Sequence, residues 1–197
     1  MTKATELTDD GLLGRMIAGD EEAFTLLYRR RQPSIYRFVL HMSGKAAVAE
    51  DVTQEVFMAL IRDAKRFDPA RGTLGGFLFG IARNHMRKRW EQDRRLVPLA
   101  DDAEERGELV ASGGAGTDQF SSRETVFRVR QAIATLPENY REVVVLCDLE
   151  EMSYDEAASA LGSPVGTIRS RLHRARAMLL EKLRGVPAAG RTPVAGQ

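Results

Sequence analysis

One cysteine, Cys147, is all the sequence offers, so an internal disulfide framework and a cysteine-cluster metal site are both excluded. Nowhere do apolar residues approach the roughly 18 in succession that a membrane-spanning helix needs. The start, Met1-Thr2-Lys3-Ala4-Thr5-Glu6, is polar and does not read as a secretory signal, so a soluble, reducing, cytoplasmic setting is expected. Neither sign of charge dominates: 29 Lys and Arg face 28 Asp and Glu, which excludes a uniformly basic or acidic protein. No internal repeat is found. What the 197 residues do have is a 43% hydrophobic content, too high for a wholly disordered chain and enough for one ordinary domain or two small ones.

The near-neutral total hides segregation. Residues 1–95 carry 17 basic and 13 acidic side chains, residues 96–122 carry Arg106 against six carboxylates, and residues 123–184 hold 10 basic and 9 acidic groups. The cations are bunched: Arg83, Arg87, Lys88, Arg89, Arg94 and Arg95 in one stretch, Arg169, Arg171, Arg174 and Arg176 in another. Two basic patches flanking an acidic spacer fit two contacts with one polyanion, two solvated helix faces being the alternative. The spacer, with Ser112-Gly113-Gly114-Ala115-Gly116 and little apolar periodicity, cannot bury enough surface to fold alone. The expected organisation is a unit over 1–95, a flexible acidic linker over 96–122, a second unit over 123–184 and a disordered tail over 185–197.

Both units read as helical. Asp20 is an N-cap before acidic first-turn residues, followed by Phe24, Leu27, Tyr28, Ile35, Phe38 and Val39 at helical spacing, with Pro33 expected to perturb or break the run. A second helix spans 46–64, with Val48, Val52, Val56 and Leu60 on one stripe. A third spans about 74–89, its start weakened by Gly75, Gly76 and Gly80. In the second unit helices are expected over 124–135 and 140–149. Ser153-Tyr154-Asp155-Glu156 is a capping box opening a short helix that ends near Gly162, and Ser163-Pro164 then starts the next, Ser as N-cap and Pro at the first helical position. Two helices joined by so tight a turn form a helix-turn-helix.

Projected at 100° per residue, the last helix puts Val165, Ile168, Leu172, Ala175 and Leu179 on a buried stripe. Gly166, Thr167, Ser170, His173 and Arg174 fall outward, flanked by Arg169 and Arg176. Small residues first, then hydroxyl, imidazole and guanidinium groups, suit a major groove; the flanking arginines suit phosphates. No carboxylate lies between Val165 and Leu180, so pairing within the helix does not account for these cations.

Ala49-Glu50-Asp51-Val52-Thr53-Gln54-Glu55-Val56-Phe57, Ile81-Ala82-Arg83-Asn84, and Ser153-Tyr154-Asp155-Glu156-Ala157-Ala158 through Pro164-Val165-Gly166-Thr167-Ile168-Arg169-Ser170-Arg171-Leu172 together resemble an extracytoplasmic-function (ECF) sigma factor of the sigma-70 family. The resemblance covers about residues 20–95 and 123–184, in the family's order. It implies an all-α protein of two small helical domains, region 2 and region 4, that binds core RNA polymerase and directs it to promoter DNA, with no catalytic residues, no cofactor, no metal and no membrane insertion. By that resemblance Asp51, Gln54, Glu55 and Met58 dock on the clamp helices of the largest polymerase subunit, and their spacing does place them on one helix face; a solvated acidic face is the alternative. The loop 67–76, with Phe67 and Arg71, forms a pocket for the −10 element. Asn84 reads its non-template strand, and Arg83, Arg87 and Lys88 hold backbone. Thr167, Arg169, Ser170, Arg171, His173, Arg174 and Arg176 contact the −35 element. An anti-sigma partner is also implied.

The sequence departs from the family in places. Phe77 stands where Trp is common, and core packing competes there with a stacking role; His85 and Trp90 are open between packing and function. Glu151 occupies a turn position that usually holds Gly, where a left-handed Glu costs a little unless the turn differs. Ala158 replaces a larger aliphatic, and His173 varies too widely for a base preference to transfer. The linker's 27 residues reach about 90 Å extended, against roughly 70–80 Å between promoter elements. Neither it nor the stretch before residue 20 has room for the extra domains of larger sigma factors. Two other classes compete. A stand-alone helix-turn-helix regulator explains the last helix but not the acidic docking face, and a DNA-processing enzyme lacks a clustered set of catalytic groups. Cys147, beside Val143-Val144-Val145-Leu146, reads as a buried small hydrophobe against the alternative of a redox sensor.

Overall fold

A computed structural model describes residues 8–96 and 117–184. Among the described residues all regular structure is helical: α1 (Asp9–Ile17), α2 (Glu21–Ser43), α3 (Ala46–Asp63), α4 (Leu74–Leu96), α5 (Thr117–Ala134), α6 (Glu138–Val144), α7 (Tyr154–Leu161) and α8 (Val165–Lys182), with 3-10 turns over Ala64–Arg66 and Pro69–Arg71. Most of the expected linker and the whole expected tail, residues 97–116 and 185–197, lie outside the described residues.

Helix α1 was not anticipated from the pattern, although its signals are present. Thr8 caps it by accepting a hydrogen bond from the Gly11 amide at 3.2 Å, Asp9 and Asp10 occupy its positive first turn, and Leu12 and Leu13 are buried. Asp9 binds Arg30 at 2.8 Å and Arg31 as well, fastening α1 to α2. Asp20 then caps α2 through the Ala23 amide at 3.0 Å while pairing with Arg15 at 2.7 Å.

Pro33 does not break α2, contrary to expectation: the helix runs through it. An interior proline costs about 3 kcal/mol, but Leu27 on one side and Ile35, Phe38 and Val39 on the other are buried in the same core, so packing holds both halves in line. Helix α3 buries Val52, Val56 and Leu60 against α2, with Val48 half-buried, as the valine stripe requires. Helix α4 continues to Leu96, seven residues past the expected end.

In the second half, α5 begins at Thr117, seven residues before the expected start, so the linker boundary at 122 falls inside a helix. The expected helix over 140–149 is α6 followed by a π-turn over Val145–Leu149. The capping box at Ser153 forms as read, Ser153 Oγ accepting from the Glu156 amide at 3.2 Å and Glu156 accepting from the Ser153 amide at 2.9 Å. Gly162 closes α7 in the left-handed region. Ser163 does not cap α8; its hydroxyl donates to the Leu161 carbonyl at 3.3 Å, and Pro164 flanks the helix instead of opening it. Glu151 does take a left-handed conformation, φ 55°, at a cost of about 1 kcal/mol.

Helices α1–α4 form one packed group and α5–α8 another, and the two groups touch through α4 on α7 and α2 on α5 and α6. The buried apolar cluster is continuous across that boundary. Arg141 fastens it, donating to the Met42 carbonyl at the end of α2 (3.0 Å) and to Ala134 and Leu136 at the end of α5 (2.6 and 2.9 Å). These are carbonyls that helix ends leave without intrahelical partners. Arg37 forks onto Glu150 at 2.9 and 2.6 Å on the same boundary.

Candidate nucleic-acid interface

Helix α8 is held by Ile168, Leu172 and Ala175, all buried, with Val165 and Leu179 packed against the core. That fixes the opposite side in solvent: Arg169, Ser170, His173 and Arg174 are exposed and Thr167 is half-buried. A Cβ added at Gly166 would meet nothing within 4 Å, so the first turn is open to close approach. Arg169 stacks over the Tyr154 ring of α7, 5.7 Å from its centroid, which stiffens the side chain and leaves its charge outward. Two other arginines behave differently. Arg176 forks onto Asp148 at 3.1 and 2.5 Å, and Arg171 is half-buried with its charge acting on Glu142.

The second candidate surface is the loop and helix around α4. Asp68 stabilises the 3-10 turn by accepting from the Ala70 amide at 3.0 Å, and Gly72 turns the chain at φ 148°, a conformation other residues avoid. Phe67 and Phe77, ring centroids 5.6 Å apart, line a cavity of about 400 Å³ together with Arg71, Gly76, Gly80, Arg83 and Asn84. Phe77 is half-buried, joining core to cavity. Asn84, Arg87 and Lys88 are exposed. Arg83 is not: its Nε lies 2.6 Å from Glu142 and its Nη1 3.1 Å from the Leu161 carbonyl, both from the second half of the chain. Ser159, Ala160 and Gly162 form the cavity's far wall.

A third surface lies on α3. Asp51, Gln54 and Met58 are exposed, Met58 to 66%, and Glu55 is half-buried. The acidic face is tied to α4: Glu55 binds His85 at 2.8 Å and Arg89 at 3.2 Å, and Asp51 reaches Arg89 at 3.5 Å. A groove of about 1120 Å³ runs between the two helices, with Trp90 on its wall. His85 is therefore a polar contact of the acidic face through Glu55.

Glu142 was missed in the sequence. It is buried to 1% exposure, and burial pushes its carboxyl above the usual carboxylate range while Arg83 pulls it back. Its signal was the register, since Glu142 shares a helical face with Val145 and Leu146. Also missed was Phe127, 45% exposed beside Leu183 in a groove of about 500 Å³ between α5 and α8. Cys147 is half-buried, its thiol pushed up to about 11 by burial and by Asp148. Among the described residues no group of His, Cys, Asp and Glu is arranged to hold a metal ion, and no helix is long and apolar enough to cross a membrane.

Comparison with known proteins bears on these surfaces. The family model for sigma-70 region 2 matches residues 27–96 and that for sigma-70 region 4 matches residues 127–179. The chain is 33% identical to the ECF RNA polymerase sigma factor SigW of Bacillus subtilis, over 84% of this chain and 91% of that one. It is also 33% identical to the ECF RNA polymerase sigma factor SigE of Mycolicibacterium smegmatis, over 80% of this chain, and spans 60% of that relative's length. Two solved structures share the fold. One is CnrH in complex with the cytosolic domain of CnrY (TM-score 0.67, 26% identity, 91% of this chain and 99% of that one). The other is the sigma factor RpoE in complex with the anti-sigma factor NepR from Bartonella quintana (TM-score 0.62, 28% identity, 83% of this chain and 98% of that one).

Proposed function

The chain belongs to the ECF sigma factors of the sigma-70 family, and from that premise we propose that it docks on core RNA polymerase and selects promoters by reading two DNA elements with its two halves. The observation that carries this is the coexistence, on one chain, of an exposed cationic α8 face free of carboxylates and a separate aromatic cavity bordered by Asn84. Arg169, Ser170, His173 and Arg174 are the base-reading set for the −35 element: guanidinium groups match guanine O6 and N7, and hydroxyl and imidazole groups read either donors or acceptors. Thr167 and Arg171 border that set, and Arg176, held by Asp148, serves phosphate contact. The cavity around Phe67 and Phe77 takes an unstacked base of the −10 element, Asn84 offering both donor and acceptor, with Arg71, Arg83, Arg87 and Lys88 on the backbone.

Asp51, Gln54, Glu55 and Met58 form the polymerase contact, a charged rim around one exposed thioether. Nothing in this role requires a covalent step; the subunit works by binding. Its place of action is where polymerase and promoter meet, the cytoplasm. Control by an anti-sigma protein is supported by the relative of this fold solved with an anti-sigma factor.

In vitro transcription with core polymerase on a genomic library, with start sites sequenced, tests the proposal: starts should cluster downstream of a shared pair of motifs. Gel shifts separate it from a stand-alone helix-turn-helix regulator. Tight specific binding to duplex DNA by the chain alone, with no association with core polymerase, would establish the regulator instead.

A further inference from the structure

We propose that Tyr154, at the start of α7, is a positioning residue for promoter reading: its ring holds Arg169 of α8 while leaving the guanidinium donors free for a base. The inference rests on the role assigned above to Arg169 and adds a residue outside that reading set.

The placement of Tyr154 follows from its neighbours. It is the first residue of α7, and the capping box formed by Ser153 and Glu156 fixes that turn. Ala157, Ala158 and Leu161 of α7 are buried, as are Ile168 and Leu172 of α8, and the two helices pack on one another. Tyr154 is itself half-buried against that core, and the Arg169 guanidinium carbon stands over its ring, 5.7 Å from the centroid. A ring anchored on one helix thereby restrains a long side chain on the next.

Arg169 and Arg176 are seven residues apart, so they share a face of α8 at about 10 Å along its axis. Tyr154 serves both: the proton affinity of Arg176 is raised by Asp148 first and also by the Tyr154 hydroxyl. Yet the two guanidinium groups are occupied differently. Asp148 takes Nε and Nη2 of Arg176, at 3.1 and 2.5 Å, so that fork is already filled. A ring face attracts a cation without accepting its in-plane N–H donors, so Arg169 keeps its fork for guanine O6 and N7. Restraint matters because a free arginine gives up rotamer freedom on binding, and one already stacked has given up part of it beforehand. Arg174 supplies the contrast. It is exposed, and among the described residues it has no hydrogen bond, ion pair or ring contact. One helix therefore carries a supported reader and an unsupported one, each a control for the other.

The test uses holoenzyme reconstituted with core polymerase, transcribing a library with a randomised −35 element, so that sequenced transcripts give the base preference at each position. Arg169→Ala and Arg174→Ala identify the position that each arginine reads. Tyr154→Leu should relax the preference at the Arg169 position by about two- to fivefold and leave the Arg174 position unchanged. Tyr154→Phe, which keeps the ring, should retain both. Adding Tyr154→Leu to Arg169→Ala should relax that position no further. A preference lost in Arg169→Ala but intact in Tyr154→Leu overturns the proposal alone. Equal loss at both positions also overturns it, since that marks a general shift of α8. Loss in Tyr154→Phe equal to that in Tyr154→Leu does so too, the hydroxyl and not the ring being responsible. Should Tyr154→Leu fail to fold, Tyr154→Met takes its place. If Arg169→Ala alters no position, the reading role of Arg169 falls and the proposal with it.

Discussion

Arg174 and Arg83 are the same residue type on surfaces assigned to the same polyanion, yet the fold treats them in opposite ways. Arg174 projects from α8 into solvent, on a helix whose length between Val165 and Leu180 carries no carboxylate. Arg83 is turned inward onto a carboxylate that burial has stripped of water. The difference teaches that a basic patch in sequence specifies available charge but not its partner. The partner depends on whether another element comes to rest on that face, and here α6 brings Glu142 and the end of α7 brings the Leu161 carbonyl.

The sharpest way to break this contrast is to remove Arg83. Arg83→Ala leaves Glu142 buried without its strongest partner, a change that costs about 3–5 kcal/mol in comparable buried pairs. The raised proton affinity of Glu142 and the nearby charge of Arg171 place the expected loss at the lower end. Urea unfolding should show it, and Arg83→Ala combined with Glu142→Leu should recover most of it. An Arg83→Ala midpoint equal to wild type would show that the pair contributes nothing to the closed fold. The open surface should answer differently. Arg174→Ala should leave the unfolding midpoint in place and weaken holoenzyme binding to its promoter by about 1–3 kcal/mol. Arg176→Ala, which loses an exposed ion pair with Asp148, should cost about 1 kcal/mol or less in stability. Equal promoter effects from both variants would erase the distinction between reading and flanking positions.

The same contrast marks what sequence could reveal. Helix identity, the capping box and the buried stripe of α8 follow from local rules, because each depends on residues within a turn or two of one another. Glu151's left-handed turn was one of two outcomes that the family's usual glycine at that position left open. Pro33 misled because burial of Leu27, Ile35 and Phe38, a tertiary effect, outweighs a local penalty. The early start of α5 and the long run of α4 lie in polar sequence with weak periodicity, where ends are hardest to place. The exposed α8 side chains were legible as a set, since a helix projection fixes which side faces out. The partner of Arg83 was not, because it sits 59 residues away and only the packing of the second half of the chain on the first brings it near.

A milder perturbation of the boundary comes from pH. His41 lies under the second half near Arg130, Arg37 and Arg141, and burial first, then those three charges, push it down to about 4. The unfolded chain therefore takes up a proton near pH 6.5 that the folded chain refuses until about pH 4. Stability from this group is complete above pH 6.5 and falls as pH drops through that window, by about 1 kcal/mol at pH 5.5. His41→Gln should flatten that part of the stability–pH curve; an unchanged slope would assign the acid sensitivity elsewhere.

The smallest effect should come from Cys147, which tests whether the second half carries a redox switch. With its thiol pushed up to about 11, the thiolate at neutral pH is scarcer than in a free cysteine by about two orders of magnitude. Greater intrinsic nucleophilicity at higher proton affinity recovers part of this, leaving alkylation about twentyfold slower than that of a free thiol. Cys147→Ala should change promoter output less than about twofold, since a half-buried sulfur contributes little beyond packing. Rapid labelling in the folded chain, or peroxide-sensitive transcription abolished by Cys147→Ala, would make the thiol a sensor.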